Sequence, residues 1–451
     1  MRSRALLPVA LSSSLTLAAC GAIGDIVGGP SVTEVTVHVP AGILVGDSAQ
    51  AHASAAKSNG VTIPDLRPDS WRSSDPTVIS ISQTGEMKGL IAGRQATIFA
   101  DFQGKTGSAV VTVGAGDARL AYALADQPSA TSSYAPDAAT SFNSSGGAIS
   151  VTRTGIGSYS VSFAGLGRPA GGRDNVQVTG YSGGPVYCKA VSWDASGADL
   201  VVTVRCVRRD ATLADSKFTI LALGARAFGA GTPLGFLLWN GDTIPTVSID
   251  TAATTYNSAG GLVGVGYVST GNYATVFTGL GPLSGGAAGP VGFIVSGSGA
   301  TARRCQMNGY DLAQSGTGII CRGAGGGLAD AAFSLLWFTR GRPGLRYGYA
   351  FANNIGNMAG YTPPSDVSKN SSGGAITAKK TATGTYQITF AGLAHAAGAK
   401  EGVQVSVFGP GGVFCTLLSW GNSGANLVAN ITCWDTFDAP ADAIYDILIV
   451  E

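Results

Sequence analysis

Charge is the scarcest commodity in this chain. Charged residues make up 12% of its 451 positions, against about a quarter in an ordinary soluble domain. Lys and Arg together number 28 and Asp and Glu 27, a formal charge of +1. A balance so close to zero excludes the electrostatic footprint of a nucleic-acid partner. Histidine is rarer still, with His38, His52 and His395 serving the whole length. A Ser/His/Asp hydrolase would have to rest on one of them, without a G-x-S-x-G elbow or an α/β pattern around it. There is no C-x-x-C and no grouping of Cys with His, which excludes a structural zinc site. The D-x-[DN]-x-[DN]-G loop of an EF-hand is missing too. After residue 20 no run of about 18 apolar residues occurs, so no further membrane-spanning helix is expected. These gaps leave no metal or cofactor to name.

What the chain has is glycine, 67 residues of it, and 45% hydrophobic content. That apolar share is enough to build cores rather than a disordered chain. Glycine mixed with Ser, Thr, Val and Ala predicts short strands and tight turns, hence an all-β fold.

The seven cysteines divide into one and six. Residues 1–20 run from Arg2 and Arg4 through an apolar stretch to small residues, the order of an export signal. Its end, Leu17-Ala18-Ala19-Cys20, resembles the bacterial lipobox. The resemblance implies cleavage before Cys20, a diacylglycerol on its sulfur and an acylated amino terminus. The membrane is then a partner through that anchor, since each buried CH₂ contributes roughly 0.8 kcal/mol. Gly21 in place of Asp favours the outer membrane of a two-membrane organism, so the expected location is the cell envelope, at the outer membrane or cell surface. Losing Arg2 and Arg4 with the signal takes the 28 basic residues to 26, against 27 acidic.

After a linker at 21–30, residues 31–114 alternate as strands: Val35-Thr36-Val37-His38-Val39, Val78-Ile79-Ser80-Ile81, Ala96-Thr97-Ile98-Phe99-Ala100 and Ala109-Val110-Val111-Thr112-Val113. Gly46-Asp47, Trp71-Arg72-Ser73-Ser74-Asp75-Pro76, Gly85, Gly93 through Ile98 and Val111-Thr112-Val113 together resemble the bacterial Ig-like group 2 domain. The resemblance implies a small Greek-key sandwich with Trp71 in its core, used on bacterial surfaces as a spacer or adhesion module. His38 and His52 fall on its strands and read as ordinary strand residues.

Self-similarity governs the rest. Asn143-Ser144-Ser145-Gly146-Gly147 recurs at Asn257 and Asn370. Each Asn is followed by a tyrosine (Tyr159, Tyr273, Tyr386), a phenylalanine (Phe163, Phe277, Phe390) and a Gly-Leu. Then come two cysteines with an aromatic five residues past the first (Trp193, Tyr310, Trp420), and an Asp three residues before another aromatic (Asp215, Asp330, Asp442). The copies occupy residues 115–230, 231–344 and 345–451. The predicted architecture is an Ig-like β-sandwich followed by three tandem β-sandwich repeats. Cys188 and Cys206, Cys305 and Cys321, and Cys415 and Cys433 stand 18, 16 and 18 residues apart. In an oxidising envelope they read as one disulfide per copy, between neighbouring strands. The copies are similar to tandem repeats of exported bacterial proteins without an assigned activity, so no site residue carries over.

Tyr159, Val161 and Phe163 share one strand face, and so do their counterparts. Core packing is the plain reading, and a stacking platform for sugars the sharper one. Asp215, Asp330 and Asp442 recur one per copy, as turn or capping residues would. A carboxylate pair for glycoside hydrolysis has no fixed second member. Asp174-Asn175 and Asp194 could offer oxygens to calcium, yet the second copy has no equivalent. Asn143 and Asn370 begin glycosylation sequons that Ala259 breaks in the middle copy, which favours a turn role for all three. The expectation is a membrane-anchored, surface-displayed, non-catalytic lipoprotein binding a polysaccharide or another envelope component. The alternatives are a purely structural envelope protein and a carboxylate-dependent hydrolase.

Overall fold

The structure is a computed structural model. It describes residues 29–451 except 41, 115, 182, 230, 242–245, 249–252, 281–289, 314, 343 and 396–400. Cys20 and the rest of the leading segment lie outside the described residues. The fold is all-β, with 55% of residues in strands and 1% in helix. Alternation explains the strands. In Gln95–Phe102, Ala96, Ile98 and Ala100 are buried while their neighbours face out.

The N-terminal unit is a sandwich of three small sheets. Val32–His38, His52–Lys57 and Thr62–Leu66 form one, and Gly42–Leu44, Lys105–Gly114, Gln95–Phe102 and Ser70–Ser73 the second. The third is Ser48–Gln50, Glu86–Gly89 and Ile79–Ile81. Trp71 lies in the core they enclose, beside Ile98, Val111 and Val113.

Each repeat is a two-sheet sandwich. In the first, the outer sheet is Ile149–Gly155, Ser158–Phe163, Leu200–Val207 and Tyr187–Asp194; the inner sheet is Ser141–Asn143, Leu120–Ala125, Lys217–Gly224 and Asp174–Tyr181. The second and third repeats follow the same order, with inner sheets centred on Phe333–Phe338 and Ile444–Val450. The three disulfides sit on directly opposed residues of each outer sheet, Cys188 with Cys206, Cys305 with Cys321 and Cys415 with Cys433.

The three repeats are not beads on a string. The first cysteine of each copy is followed two residues later by a parallel bridge to the inner edge of another copy: Ala190 with Ser298, Met307 with Phe408, and Leu417 with Tyr181. The first repeat therefore joins the second, the second the third, and the third the first. Two of these bridges merge sheets into continuous eight- and nine-stranded ribbons. A ring closes in this way around a pseudo-threefold axis.

Closure explains why the inner strands are apolar on both faces. Phe218, Phe333 and Tyr445 fill the three separate sandwich cores. On the opposite faces Tyr122, Leu221 and Leu223, Phe236, Leu336 and Phe338, and Tyr349, Leu448 and Val450 meet in a fourth cluster that belongs to all three copies. The N-terminal unit covers one end of it. Its Leu44 enters the cluster, and Arg226 pairs with Asp47 at 2.5 Å while Tyr256 donates to the same carboxylate. Gly42 is required there, because a Cβ would come within 2.6 Å of Gly171.

Candidate functional site

The residues singled out in the sequence prove to be structural where the structure describes them. Tyr159, Tyr273 and Tyr386 are buried, as are Phe163, Phe277 and Phe390, so no sugar platform exists on that strand. Each tyrosine hydroxyl donates to the repeated aspartate of its own copy, Asp215, Asp330 or Asp442, at 3.1–3.2 Å. The same carboxylates accept the backbone N–H of Gly157, Gly271 and Gly384. These three aspartates are latches that tie a hairpin turn to the next strand. Asn143, Asn257 and Asn370 donate across their turns to Ala164, Thr278 and Ala391, which is the turn role.

The remaining candidates are engaged likewise. Asp174 pairs with Arg119 and Arg168, and Asn175 donates to Ser334 across the axis at 2.9 Å, so that pair holds protein together. Asp194 accepts from the Ser196 amide. His38 and His52 oppose each other on paired strands but bond different partners, Ser54 and Asp65, and His395 meets Glu401 in the third copy. Among the described residues no helix is long and apolar enough to cross a membrane.

Two of the three aromatics past the first cysteine work at the seams. Tyr310 packs on Phe408, 5.9 Å between centroids, and Trp420 on Tyr181 at 5.2 Å. Trp193 occupies the third equivalent position and packs on the core of its own copy. In the first two copies the residue after the first cysteine spans the seam as well. Lys189 reaches the carbonyls of Ser298 and Arg303 at 3.2 and 3.0 Å, and Gln306 those of Gly409 and Gly411.

Lys189 is fully buried, and desolvation, aided by Arg205 and Arg303, pulls its pKa from 10.5 to about 7. Between those two values the unfolded chain holds a proton that the folded chain sheds. Stability should therefore rise with pH across the window from about 7 to 10, by up to ~1.4 kcal/mol per unit. Above it the buried tyrosines, held above the ordinary phenol range by burial, reverse the slope. Lys189→Gln, the side chain the second copy uses, should abolish the rise while keeping the melting temperature at pH 7 at or above the parent value. Thermal melts from pH 6 to 10 check this.

A polar layer crosses the axis. Gln177 donates to Ser334 and accepts from Ser296, at 3.0 and 2.9 Å. Gln404 accepts from Thr179 at 2.8 Å and donates to Thr219 at 3.3 Å. In the third equivalent place the glutamine is Ile294. The groups it would have served, Ser406 Oγ and Asp446 Oδ2, are buried without a hydrogen-bond partner among the described residues. Burial pushes the Asp446 carboxyl well above the ordinary carboxylate range. Its folded pKa is raised, so its contribution is present at low pH and lost as pH rises from about 4. Thr219 and Ser334 hold the same position in the other copies. Asp446→Ser should therefore raise stability at pH 7 by about 1–3 kcal/mol, readable by urea denaturation.

The end of the axis away from the N-terminal unit is uncovered by it. There the three loops 208–212, 323–327 and 435–439 converge. Arg209 donates to Thr436 of the third copy and Arg322 to Pro410. Phe437 is 77% exposed, with the Arg209 guanidinium 5.6 Å from its ring. Tyr187, Arg304 and Phe414, each the residue before a first cysteine, meet beneath the loops. Tyr187 and Phe414 lie edge to face, and Arg304 sits 4.8 Å over Phe414. At this distal end unlike residues from all three copies gather at a surface. Sequence reading missed it because those residues differ from copy to copy.

No family model matches the chain, and no curated protein matches it. Among solved structures it is similar to domains 4 and 5 of the S-layer protein SbsC, at 16% identity over 43% of this chain and 97% of that one, TM-score 0.14. A second similarity is to domains 1–6 of the surface layer protein SbsC, at 11% identity over 65% of this chain and 36% of that one, TM-score 0.18. At those scores the likeness assigns neither fold nor function, and the reading below stands on the chain's own residues.

Proposed function

We propose that this chain is a non-catalytic lipoprotein of the cell envelope, a tethered scaffold in which an Ig-like spacer carries a rigid three-copy ring and holds its distal end outward. One observation carries the reading: the ring is closed, with the repeated aspartates and strand aromatics all spent on latches, cores and seams. Such a body is preassembled and pays no ordering cost when it presents a surface. The lipobox-like segment at Cys20 supports the tether. Three disulfides support an oxidising location.

The sequence's first expectation, adhesion to a polysaccharide or envelope component, keeps one observation in its favour, the exposed loop cluster at the distal end. Avidity from three equal sites is not available to it, because the loops of the three copies differ in sequence.

The test is metabolic labelling with a radioactive fatty acid, followed by fractionation. The wild-type protein should take the label and sediment with membranes, while Cys20→Ala should remain unlabelled. A wild-type protein that stays soluble and unlabelled sinks the tether reading.

A further inference from the structure

Arginines collect at the distal end without carboxylate partners. Arg208 and Arg209 come from the first copy and Arg304 and Arg322 from the second. None of the ion pairs among the described residues uses any of the four. Arg304 is the telling one. It is only 8% exposed, and the one side-chain hydrogen bond it makes among the described residues is a long one, 3.4 Å to the Gly412 carbonyl. The other two copies place an aromatic residue, Tyr187 or Phe414, where Arg304 stands. The fold therefore does not need a cation here, and burying a guanidinium without a counter-charge is costly.

Arg304, Arg208 and Arg209 line one small cavity with Tyr187, Phe414 and Ala324. Its free volume, ≈ 10 Å³, suits one water-sized group, so a larger oxyanion would sit at its mouth, where Arg208 and Arg209 are exposed. Two of the nearby acidic groups are engaged elsewhere, and the third, Asp438, keeps one buried carboxylate oxygen without a hydrogen-bond partner among the described residues. Asp210 is held by the Thr212 hydroxyl and amide, and Asp435 by the amides of Phe437 and Ala439. Asp438 is close enough to interact with Arg304 electrostatically, yet forms no ion pair with it. A guanidinium fork matches a tetrahedral oxyanion in geometry as well as charge.

We propose that the distal end of the ring is an oxyanion site, in which Arg304, backed by Phe414 and flanked by Arg208 and Arg209, takes a phosphate or sulfate group. The group could arrive as a free ion or carried on an envelope glycan, and the chemistry of recognition is the same. The site is separate from the tether, so Arg304→Phe should leave membrane fractionation unchanged.

The experiment titrates the full-length protein with inorganic phosphate and with mannose 6-phosphate at fixed ionic strength, followed by calorimetry. The variants are Arg304→Phe, which copies the third repeat, and Arg208→Gln/Arg209→Gln in case the first does not fold. Arg72→Gln, in the N-terminal unit, controls for general charge. Saturable binding of inorganic phosphate, weakened at least tenfold in the distal variants and unchanged in Arg72→Gln, supports a free-ion site. Binding of the sugar phosphate alone, with the same loss, supports a glycan-borne group. Binding of neither ligand, or equal binding by wild type and the distal variants, overturns the proposal.

Discussion

Removing the third repeat, residues 345–451, should abolish folding of the two that remain. In a string of independent sandwiches the loss would be local and the first two copies would melt as before. Here the deletion takes Tyr347, Tyr349, Leu448 and Val450 out of the central cluster and opens two of the three seams. Tyr122, Leu221, Phe236 and Leu336 would then face water on inner sheets. Each such side chain costs roughly 1.5–3 kcal/mol when unburied, so the four together approach ~10 kcal/mol, the scale of a whole domain's stability. The expected product is aggregated or molten, without a cooperative melt. Circular dichroism and gel filtration of the truncated protein check it. A soluble fragment with an unchanged transition would mean that the copies stand alone.

The second large effect belongs to the disulfides. Each closes a loop of 16 or 18 residues, worth about 3 kcal/mol in the chain-entropy model. Replacing Cys188 and Cys206 by Ala should lower stability by about 2–4 kcal/mol, and removing all three pairs should leave the chain unfolded at 37 °C. The shape of the melt matters as much as its midpoint. Because the first copy shares its seams and the central cluster with the others, losing its bridge alone should shift a single transition for the whole ring. If one third of the signal moved and the rest stayed, the copies would be melting independently.

The units were legible in the sequence and their closure was not. The Asn, Tyr and Asp that recur in register are latches inside each sandwich, and every copy needs the same ones, so they repeat. Seam and axis residues face a different neighbour environment in each copy, and they diverge: Lys189 against Gln306, Gln177 and Gln404 against Ile294, Arg304 against Tyr187 and Phe414. A search for repetition passes over positions that do not repeat. One signal was nevertheless present. Phe333-Ser334-Leu335-Leu336-Trp337-Phe338 and Ile444-Tyr445-Asp446-Ile447-Leu448-Ile449-Val450 are nearly continuous apolar runs, whereas a strand with one wet face alternates. Such runs announce that the second face is also buried, and the only partners large enough to cover it were the other copies. The distal arginines were hidden for a further reason. A net charge of +1 averages over the chain and conceals a local excess at one end of an axis that only folding creates.

The closed ring is the central claim, and small-angle X-ray scattering of the unacylated Cys20→Ala protein tests it most directly. A compact body of this length should have a radius of gyration of about 22 Å by the scaling for folded proteins, a little larger with the N-terminal unit projecting. Four sandwiches in a row, each with a radius of gyration of about 13 Å, would give about 40 Å and a scattering profile typical of a rod. A value near the first figure is what the ring predicts, and a value near the second would contradict it.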